Sequence, residues 1–248
     1  MPEVRKLGPG NYLVDGVPKP SVTTVIEVLD KSEALMPWAS KVTADHIWEA
    51  YTNNGQITEE DCKKARAMPH VIKREAGEWG TQLHHLAETI TRGGRPNLLG
   101  CPPEVLVALQ GWMKWWLESR LTPVVIEGIV YLAALDTPGT LDLIALTLDG
   151  RRILIDYKTS NYLHAQFKMQ TVAYVEGWEE ENFPEQIDEI WILRFEKDEE
   201  KFEKRPWELH TVPRADFPQH LAGFKACRDL YRWREAQKGA RKGRTIDQ

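Results

Sequence analysis

Three residues near the middle of the chain have the types and the spacing of a metal-assisted hydrolytic site. Asp142 follows Gly139-Thr140-Leu141, and Asp156 and Lys158 stand two residues apart in Ile155-Asp156-Tyr157-Lys158-Thr159. Residues two apart on a strand project from the same face of a sheet. Two carboxylates and an ammonium group would then lie together, and hard oxygen ligands of this kind suit Mg²⁺ or Mn²⁺. The alternative interpretation is a surface Asp-Lys pair on a strand edge, because the triplet alone has low specificity.

The elements that would position these residues follow from the hydrophobic pattern. Short β-rich runs over residues 124–135, 140–148 and 152–158 predict three consecutive strands, with Asp149-Gly150 as a hairpin turn. Asp142 is then expected near the start of its strand, next to Asp156. The other predicted elements are a strand over 11–16, helices over 22–29, 37–51, 58–91 (broken at Pro69) and 103–121, a helix over 163–181, strands over 187–195 and 207–212, and a helix over 217–237.

This order of elements predicts an α/β fold with a central mixed β-sheet flanked by helices. We expect one domain over 1–248, because no repeat or linker interrupts the chain. Residues 1–121 would form a mainly helical part and one wall of a cleft, 122–212 the catalytic α/β core, and 213–248 the C-terminal helix with a frayed basic tail. The helix over 103–121 carries an apolar stripe that predicts core packing rather than base stacking: Val105, Leu106, Leu109, Trp112, Met113, Trp116 and Leu117.

Composition and charge restrict the class of protein. Apolar residues make up 42% and charged residues 28%, as in soluble globular proteins, and no apolar run is long enough to cross a bilayer. The N-terminus lacks the apolar stretch of a secretory signal, and Cys62, Cys101 and Cys227 are too widely spaced for a disulfide framework. We therefore expect a cytoplasmic protein. The net charge of −5 argues against a protein that coats DNA non-specifically, but it does not exclude a nuclease.

Four further motifs accompany the Asp-x-Lys triplet in a fixed order. Gly80-Thr81-Gln82-Leu83-His84 lies upstream, Val125-Ile126-Glu127-Gly128 and Gly139-Thr140-Leu141-Asp142 precede the triplet, and Gln170-Thr171-Val172-Ala173-Tyr174 follows it. Together the five motifs resemble the PD-(D/E)xK nuclease superfamily, and in particular its RecB-type branch of phage and mitochondrial exonucleases. The resemblance extends over residues 10–195, and it implies a restriction-endonuclease-like core with a helical N-terminal extension.

The resemblance implies specific roles for the metal-binding residues. His84, Asp142, Asp156 and the backbone carbonyl of Tyr157 would hold Mg²⁺ or Mn²⁺, and Lys158 would position the attacking water. We expect Asp156 and Lys158 to be accessible to solvent, so that their substitution leaves the fold intact. The alternative for His84 is a structural histidine on a helix.

Roles for the residues around the metal ligands also come from the resemblance. Glu127 would be an outer ligand or a support for Lys158, with a solvated glutamate at a strand end as the alternative. Gln170 would hold Lys158 or the water, and Tyr174 would touch the DNA backbone. The alternative for this pair is an ordinary amphipathic helix face, since the two residues are spaced i, i+4.

Contacts with DNA are also expected near the N-terminus. Ser21, Thr23 and Thr24 would contact phosphates from a helix N-terminus, and the alternative for these residues is a simple helix cap. Branch members that hold an iron–sulfur cluster use four cysteines, whereas only Cys227 follows Tyr174 here, so we expect no cluster.

The function implied by the resemblance is hydrolysis of DNA phosphodiester bonds, most simply by an exonuclease acting on DNA ends in phage-type recombination, repair or end processing. The partner would be DNA, single strands included, with a recombinase or single-strand-binding protein as a further candidate and no membrane partner. The location would be the host cytoplasm for a phage-encoded chain, and the oligomeric state stays open. The alternatives are a structure-specific endonuclease with the same chemistry and an inactive DNA-binding module on the nuclease fold.

Overall fold

The structure of the chain is a computed structural model that describes residues 2–29 and 32–244, with side chains described as far as Lys238. It begins with a small antiparallel sheet in the order β1-β2-β3, formed by β1 (Val4–Gly8), β2 (Asn11–Val14) and β3 (Val17–Pro20). The sequence predicted a single short strand here, and that prediction was incomplete. Strand β3 escaped prediction because it carries two prolines, which a sheet tolerates on an edge strand such as this one.

Four helices follow the small sheet and precede the central one. Helix α3 begins at a capping box in which the Thr58 and Asp61 side chains bond each other's backbone amides. The helices are α1 (Val22–Ile26), α2 (Ser32–Asn54), α3 (Glu59–Thr91) and α4 (Pro103–Ser119).

The central sheet has five strands in the order β4-β5-β6-β7-β8. Strand β6 pairs with β7 in parallel, and the other neighbours pair antiparallel. The predicted α/β fold with a mixed central sheet flanked by helices is therefore confirmed. The strands are β4 (Thr122–Leu132), β5 (Thr137–Leu146), β6 (Arg152–Lys158), β7 (Glu189–Phe195) and β8 (Trp207–Pro213).

Three more helices complete the chain. They are α5 (Gln166–Asn182), α6 (Glu199–Phe202) and α7 (Phe217–Arg244). Helix α5 connects β6 to β7, which is the crossover that a parallel pair requires. None of the helices in the described ranges is both long and apolar enough to cross a membrane.

Each face of the central sheet is covered by its own apolar core. Helices α1, α5 and α7 contribute Val25, Val172 and Phe224 to the first core, which also includes Leu154 of β6. The second core lies under α3 and α4 and includes Ile155 of the same strand. Since side chains alternate along a strand, Asp156 projects on the side of the first core and Tyr157 on the side of the second.

Two predicted helix boundaries were wrong. Helix α2 begins five residues before Pro37, and α3 continues through Pro69 without the predicted break. An interior proline costs a helix about 3 kcal/mol. Pro69 is buried together with Ala65, and we attribute the unbroken helix to packing that offsets this cost.

Two other details also differ from the sequence-based expectation. On α4, Met113 and Leu117 are 44% and 75% exposed, while Trp115 is buried instead. The inward positions Val105, Ala108, Trp112 and Trp115 advance by three or four residues and so stay on one face. The C-terminal tail, expected to be frayed, continues α7 as far as Arg244.

Candidate metal centre and cleft

Strands β5 and β6 bring the predicted acidic residues together. Leu143 pairs with Ile155 in the antiparallel register, so Asp142 and Asp156 occupy the next positions along the two strands. Asp142 lies inside β5 rather than near its start, which corrects the predicted position. The backbone amide of Tyr157 donates to Asp142 Oδ2 at 2.7 Å, and this bond fixes the carboxylate against β6.

His84, on α3, contacts both of these strands. Its Nδ1 lies 3.1 Å from Asp142 Oδ1, and its Nε2 lies 3.1 Å from the carbonyl oxygen of Tyr157. The Tyr157 side chain points away from the centre, into the second core, where its ring contacts Trp112 and Trp115. Of the predicted ligand groups, His84 thus contacts two others, the Asp142 carboxylate and the Tyr157 carbonyl, each through a different ring nitrogen.

Charge pairing sets the protonation of His84 and Asp142. Burial acts to lower the pKa of His84, but the neighbouring Asp142 carboxylate outweighs it and holds the pKa above its ordinary value. Burial likewise acts to raise the pKa of Asp142, but His84 outweighs it and the pKa is lowered. Both nitrogens of His84 face acceptors, as in an imidazolium that donates twice. A metal ion that binds either nitrogen would have to displace a proton from it.

Asp156 is buried rather than solvent-accessible, which corrects the expectation from the sequence. The residue is 2% exposed, and Lys158 Nζ lies 2.5 Å from its Oδ2. Asp156 Oδ2 is buried, and the Lys158 ammonium is its close partner among the described residues. Burial raises the pKa of Asp156 to about 6; Lys158 opposes the rise and Asp142 adds to it. A buried carboxylate oxygen that faces an ammonium group occupies a position that suits a cation.

Glu127 of β4 is drawn into the centre by an unusual backbone conformation. Its φ of 52° lies in the left-handed region, which costs a non-glycine residue free energy and is often found at functional sites. One ligand atom each from Glu127, His84 and Asp142 lie within 4.8 Å of one another. Burial raises the pKa of Glu127, and the charge of Asp142 adds to this. Glu127 thus lies within β4, with its side chain 23% exposed, rather than solvated at a strand end.

The group of residues that could hold a metal ion differs from the predicted ligands. The structure groups Glu127 with His84 and Asp142, whereas the Asp156 carboxylate is paired with Lys158. Oxygen atoms from two carboxylates together with one imidazole nitrogen suit Mn²⁺ as well as Mg²⁺. The donor chemistry of the centre fits the expected ion.

Helix α5 contributes Gln170 and Tyr174 beside these groups. Gln170 Nε2 donates to the Tyr174 hydroxyl at 2.8 Å and to Thr23 Oγ1 at 3.2 Å; the expected contact of Gln170 with Lys158 is not found among the described residues. Tyr174 lines the cleft, and its ring occupies the space that a side chain at Gly139 would need. Burial raises the pKa of Tyr174, with the Asp156 carboxylate adding to the effect.

The N-terminal residues Ser21 and Thr23, both expected to contact DNA, occupy different environments in the structure. Ser21 is 2% exposed and caps α1 by accepting a hydrogen bond from the Thr24 amide at 3.1 Å. This contact matches the alternative interpretation of Ser21 as a helix cap. Thr23, in contrast, lines the cleft.

A cleft of about 770 Å³ opens over the centre. On one wall α3 has no side chain at Gly80, which lets it approach the end of β6; a Cβ at this position would lie 3.1 Å from Thr159 Oγ1. The predicted residues that line the cleft are Thr23, His84, Glu127, Asp142, Tyr157, Lys158 and Tyr174.

Sequence reasoning assigned no role to several residues that line the same cleft. Lys6 and Tyr12 come from the N-terminal sheet, Thr140 precedes Asp142 by two positions, and Lys197 follows β7. The alternation of strand side chains places Thr140 on the same face as Asp142 and would have found it. Lys197 carries no local signal, because the pairing of β7 with β6 brings it to the cleft.

Comparison of the sequence with models of known protein families gave no match, and comparison with curated proteins gave no match either.

Proposed function

We propose that the protein is a metal-dependent deoxyribonuclease that hydrolyses DNA phosphodiester bonds and acts as an exonuclease. One observation carries the proposal: side chains from widely separated segments meet in one cleft. Their segments are the ones whose order in the sequence resembles that of RecB-type nucleases. The residues that line the cleft are Thr23, His84, Glu127, Asp142, Lys158 and Tyr174, and the buried Asp156 is paired with Lys158.

The carboxylates and the histidine would hold the metal ion. His84, Glu127 and Asp142 offer ligand atoms within 4.8 Å of one another, and Asp156 adds a buried carboxylate that is paired with Lys158. A Mg²⁺ or Mn²⁺ ion supplies activation of the attacking water and stabilisation of charge on the scissile phosphate and leaving oxygen.

Lys158 has a separate task in this proposal. Its ammonium lies 2.5 Å from Asp156 Oδ2 and over the ring of Phe167, 4.8 Å from the ring centroid. These two contacts hold the group at the edge of the centre, where it can orient a water and offset negative charge on phosphate. Tyr174 and Thr23, which are joined through Gln170, would bound the path of the DNA strand.

The exonuclease preference and the cellular setting are supported by two separate observations. The preference comes from the resemblance to enzymes that act on DNA ends. The cysteines at 62, 101 and 227 are free, which supports action in a reducing cytoplasm, that of the host for a phage-encoded chain.

The deciding experiment compares linear and covalently closed circular single-stranded DNA with Mg²⁺ or Mn²⁺. We expect the linear strand to be degraded from an end and the circle to survive. Efficient cutting of the circle would replace the exonuclease by an endonuclease with the same chemistry. An absence of cleavage on single-stranded, duplex and branched DNA would leave only a DNA-binding module.

A further inference from the structure

Lysines approach the candidate cleft from three different elements. Lys6 comes from β1, Lys158 from the end of β6, and Lys197 follows β7. The same cleft exposes the carboxylates of Glu88, Glu127 and Asp142, which would repel a phosphate. Binding of a polyanion in the cleft therefore requires lysine ammonium groups that are free to contact its phosphates.

The three lysines differ in how firmly they are held. Lys158 Nζ lies 2.5 Å from Asp156, and Lys197 Nζ donates to the Thr159 carbonyl at 3.0 Å while lying over the ring of Trp79. Lys6 Nζ lies 3.7 Å from Glu127 Oε2, with its side chain 35% exposed, and this is the longest of the three contacts. Its ammonium is thus the one most easily released to a ligand.

The backbone of Lys6 is fixed although its ammonium is not. Lys6 pairs directly with Tyr12 in the β1–β2 register, so the two side chains lie on the same face of the small sheet. Tyr12 is 6% exposed, and its hydroxyl lies 2.7 Å from Thr140 Oγ1 on β5. The ion pair between Lys19 of β3 and Asp136, which lies between β4 and β5, is a second contact that holds the small sheet to the central one. These contacts hold the stem of Lys6 at the mouth of the cleft independently of the Lys6–Glu127 pair.

We propose that Lys6 is a substrate-binding residue that contacts a DNA backbone phosphate next to the scissile one, and that it neutralises Glu127 while the metal is absent. This inference rests on the proposed nuclease function. When Glu127 turns to a metal ion, the ammonium of Lys6 becomes available to the phosphate. The N-terminal sheet β1–β3 is then part of the substrate-binding surface.

The variants that test this role are Lys6→Ala, Lys6→Arg and Arg5→Ala. Arg5 is the matched control because it is a neighbouring cation on the same strand that pairs with Leu13 and lies outside the cleft lining. All three are made in the full chain with Lys158→Ala, a background chosen to bind DNA without cutting it. Stability should change little, since a half-exposed ion pair contributes little.

The first measurement is binding of a labelled single-stranded oligonucleotide in Mn²⁺ at several salt concentrations. Lys6→Ala should weaken binding about fivefold or more and reduce the slope of log K against log salt by about 0.7, the value for one lost phosphate contact on a single strand. Lys6→Arg should restore both quantities, and Arg5→Ala should resemble the parent. If Lys6→Ala and Arg5→Ala behave alike, the phosphate contact is overturned.

The second measurement is a Mn²⁺ titration of the same proteins without DNA. Lys6→Ala should bind Mn²⁺ severalfold more tightly than the parent, because a cation competing for Glu127 has been removed. Unchanged Mn²⁺ affinity would overturn the role in neutralising Glu127. An unmodified chain that binds Mn²⁺ but neither binds nor cuts DNA would instead overturn the proposed function, and with it the phosphate contact. A Lys158→Ala parent that binds DNA regardless of Lys6 overturns this inference alone.

Discussion

His84 and Asp142 lie 58 residues apart in the sequence and meet at 3.1 Å between Nδ1 and Oδ1. The contact joins α3, on one side of the central sheet, to β5 within it. Because the other nitrogen of His84 faces the Tyr157 carbonyl, the imidazole connects two adjacent strands. The same three groups are available to a cation once the imidazole has lost its proton.

We predict that His84→Ala weakens Mn²⁺ binding by at least about tenfold, because it removes a ligand and the partner of Asp142. Isothermal titration calorimetry measures the change. His85→Ala is the matched control, since His85 is the next residue on α3 and its side chain is 78% exposed. A Mn²⁺ titration unchanged by His84→Ala would return His84 to the structural interpretation.

We predict that Asp156→Asn and Lys158→Ala each abolish cleavage, a loss of at least about 10²-fold. Both variants should still fold. The reason is not the solvent access that the sequence suggested, because Asp156 is buried. The raised pKa of Asp156 shows that the neutral form is tolerated, and asparagine has the same shape. A nuclease assay and the melting temperature are measured on the same samples. Turnover like that of the unmodified protein in either variant would remove these residues from the catalytic machinery.

A third prediction concerns the stability of the metal-free protein against pH. The pKa of Asp156 is about 6 in the folded protein against 3.8 ordinarily, so folding favours its protonated form. This contribution is complete below pH 4 and is lost as the pH rises from about 4 to 6, by roughly 3 kcal/mol at most. The raised pKa of His84 acts in the same direction above pH 6.5, whereas the lowered pKa of Asp142 acts oppositely, below pH 4.

Melting temperatures in EDTA between pH 4 and 8 measure this effect. Asp156→Asn cannot titrate at this position, so its profile should be flatter than that of the unmodified chain between pH 4 and 6. Adding Mn²⁺ should stabilise the unmodified chain more at pH 7 than at pH 5, because the ion must displace protons. Parallel profiles for the two proteins would contradict a titrating Asp156.

The sequence could predict the local part of this architecture. Strand β6 has the predicted bounds, and Asp149-Gly150 lies in the tight turn before it, because β-branched runs and turn residues act locally. The pairing of Lys6 with Glu127 could not be foreseen, since it depends on how the small sheet docks on β4 and β5. The continuation of α3 through Pro69 likewise depends on tertiary burial, which outweighs local propensity.

Some features of the candidate site could likewise be predicted from the sequence, and others could not. Asp156 and Lys158 share a face because they are two apart on one strand, which the sequence alone indicates. The position of Glu127 depends on the β4–β5 register, which shifts between Pro123 and Val125, and on a left-handed backbone conformation. Neither the register shift nor the left-handed conformation can be read from the presence of a glutamate in the sequence. The sequence therefore did not decide whether Glu127 belongs to the site or is a solvated residue at a strand end.

The last prediction separates the strain at Glu127 from its charge. Glu127→Ala and Glu127→Gly both remove the carboxylate, so both should weaken Mn²⁺ binding, by about tenfold or more. Only glycine adopts a φ of 52° without steric cost, so Glu127→Gly should be as stable as Glu127→Ala or up to about 1 kcal/mol more stable. In an ordinary strand position the order is reversed, because glycine loses more conformational entropy on folding.

Urea unfolding of the two Glu127 variants in EDTA gives the stability difference, and Mn²⁺ titration gives the ligand role. An alanine variant clearly more stable than the glycine variant would show that the left-handed backbone at this position relaxes on substitution. Mn²⁺ affinities equal to that of the unmodified chain would remove Glu127 from the ligand set and leave His84, Asp142 and Asp156 as the metal-binding side chains. The left-handed conformation places the carboxylate near His84 and Asp142. If Glu127 did not bind the metal, this strain would have no role at the site.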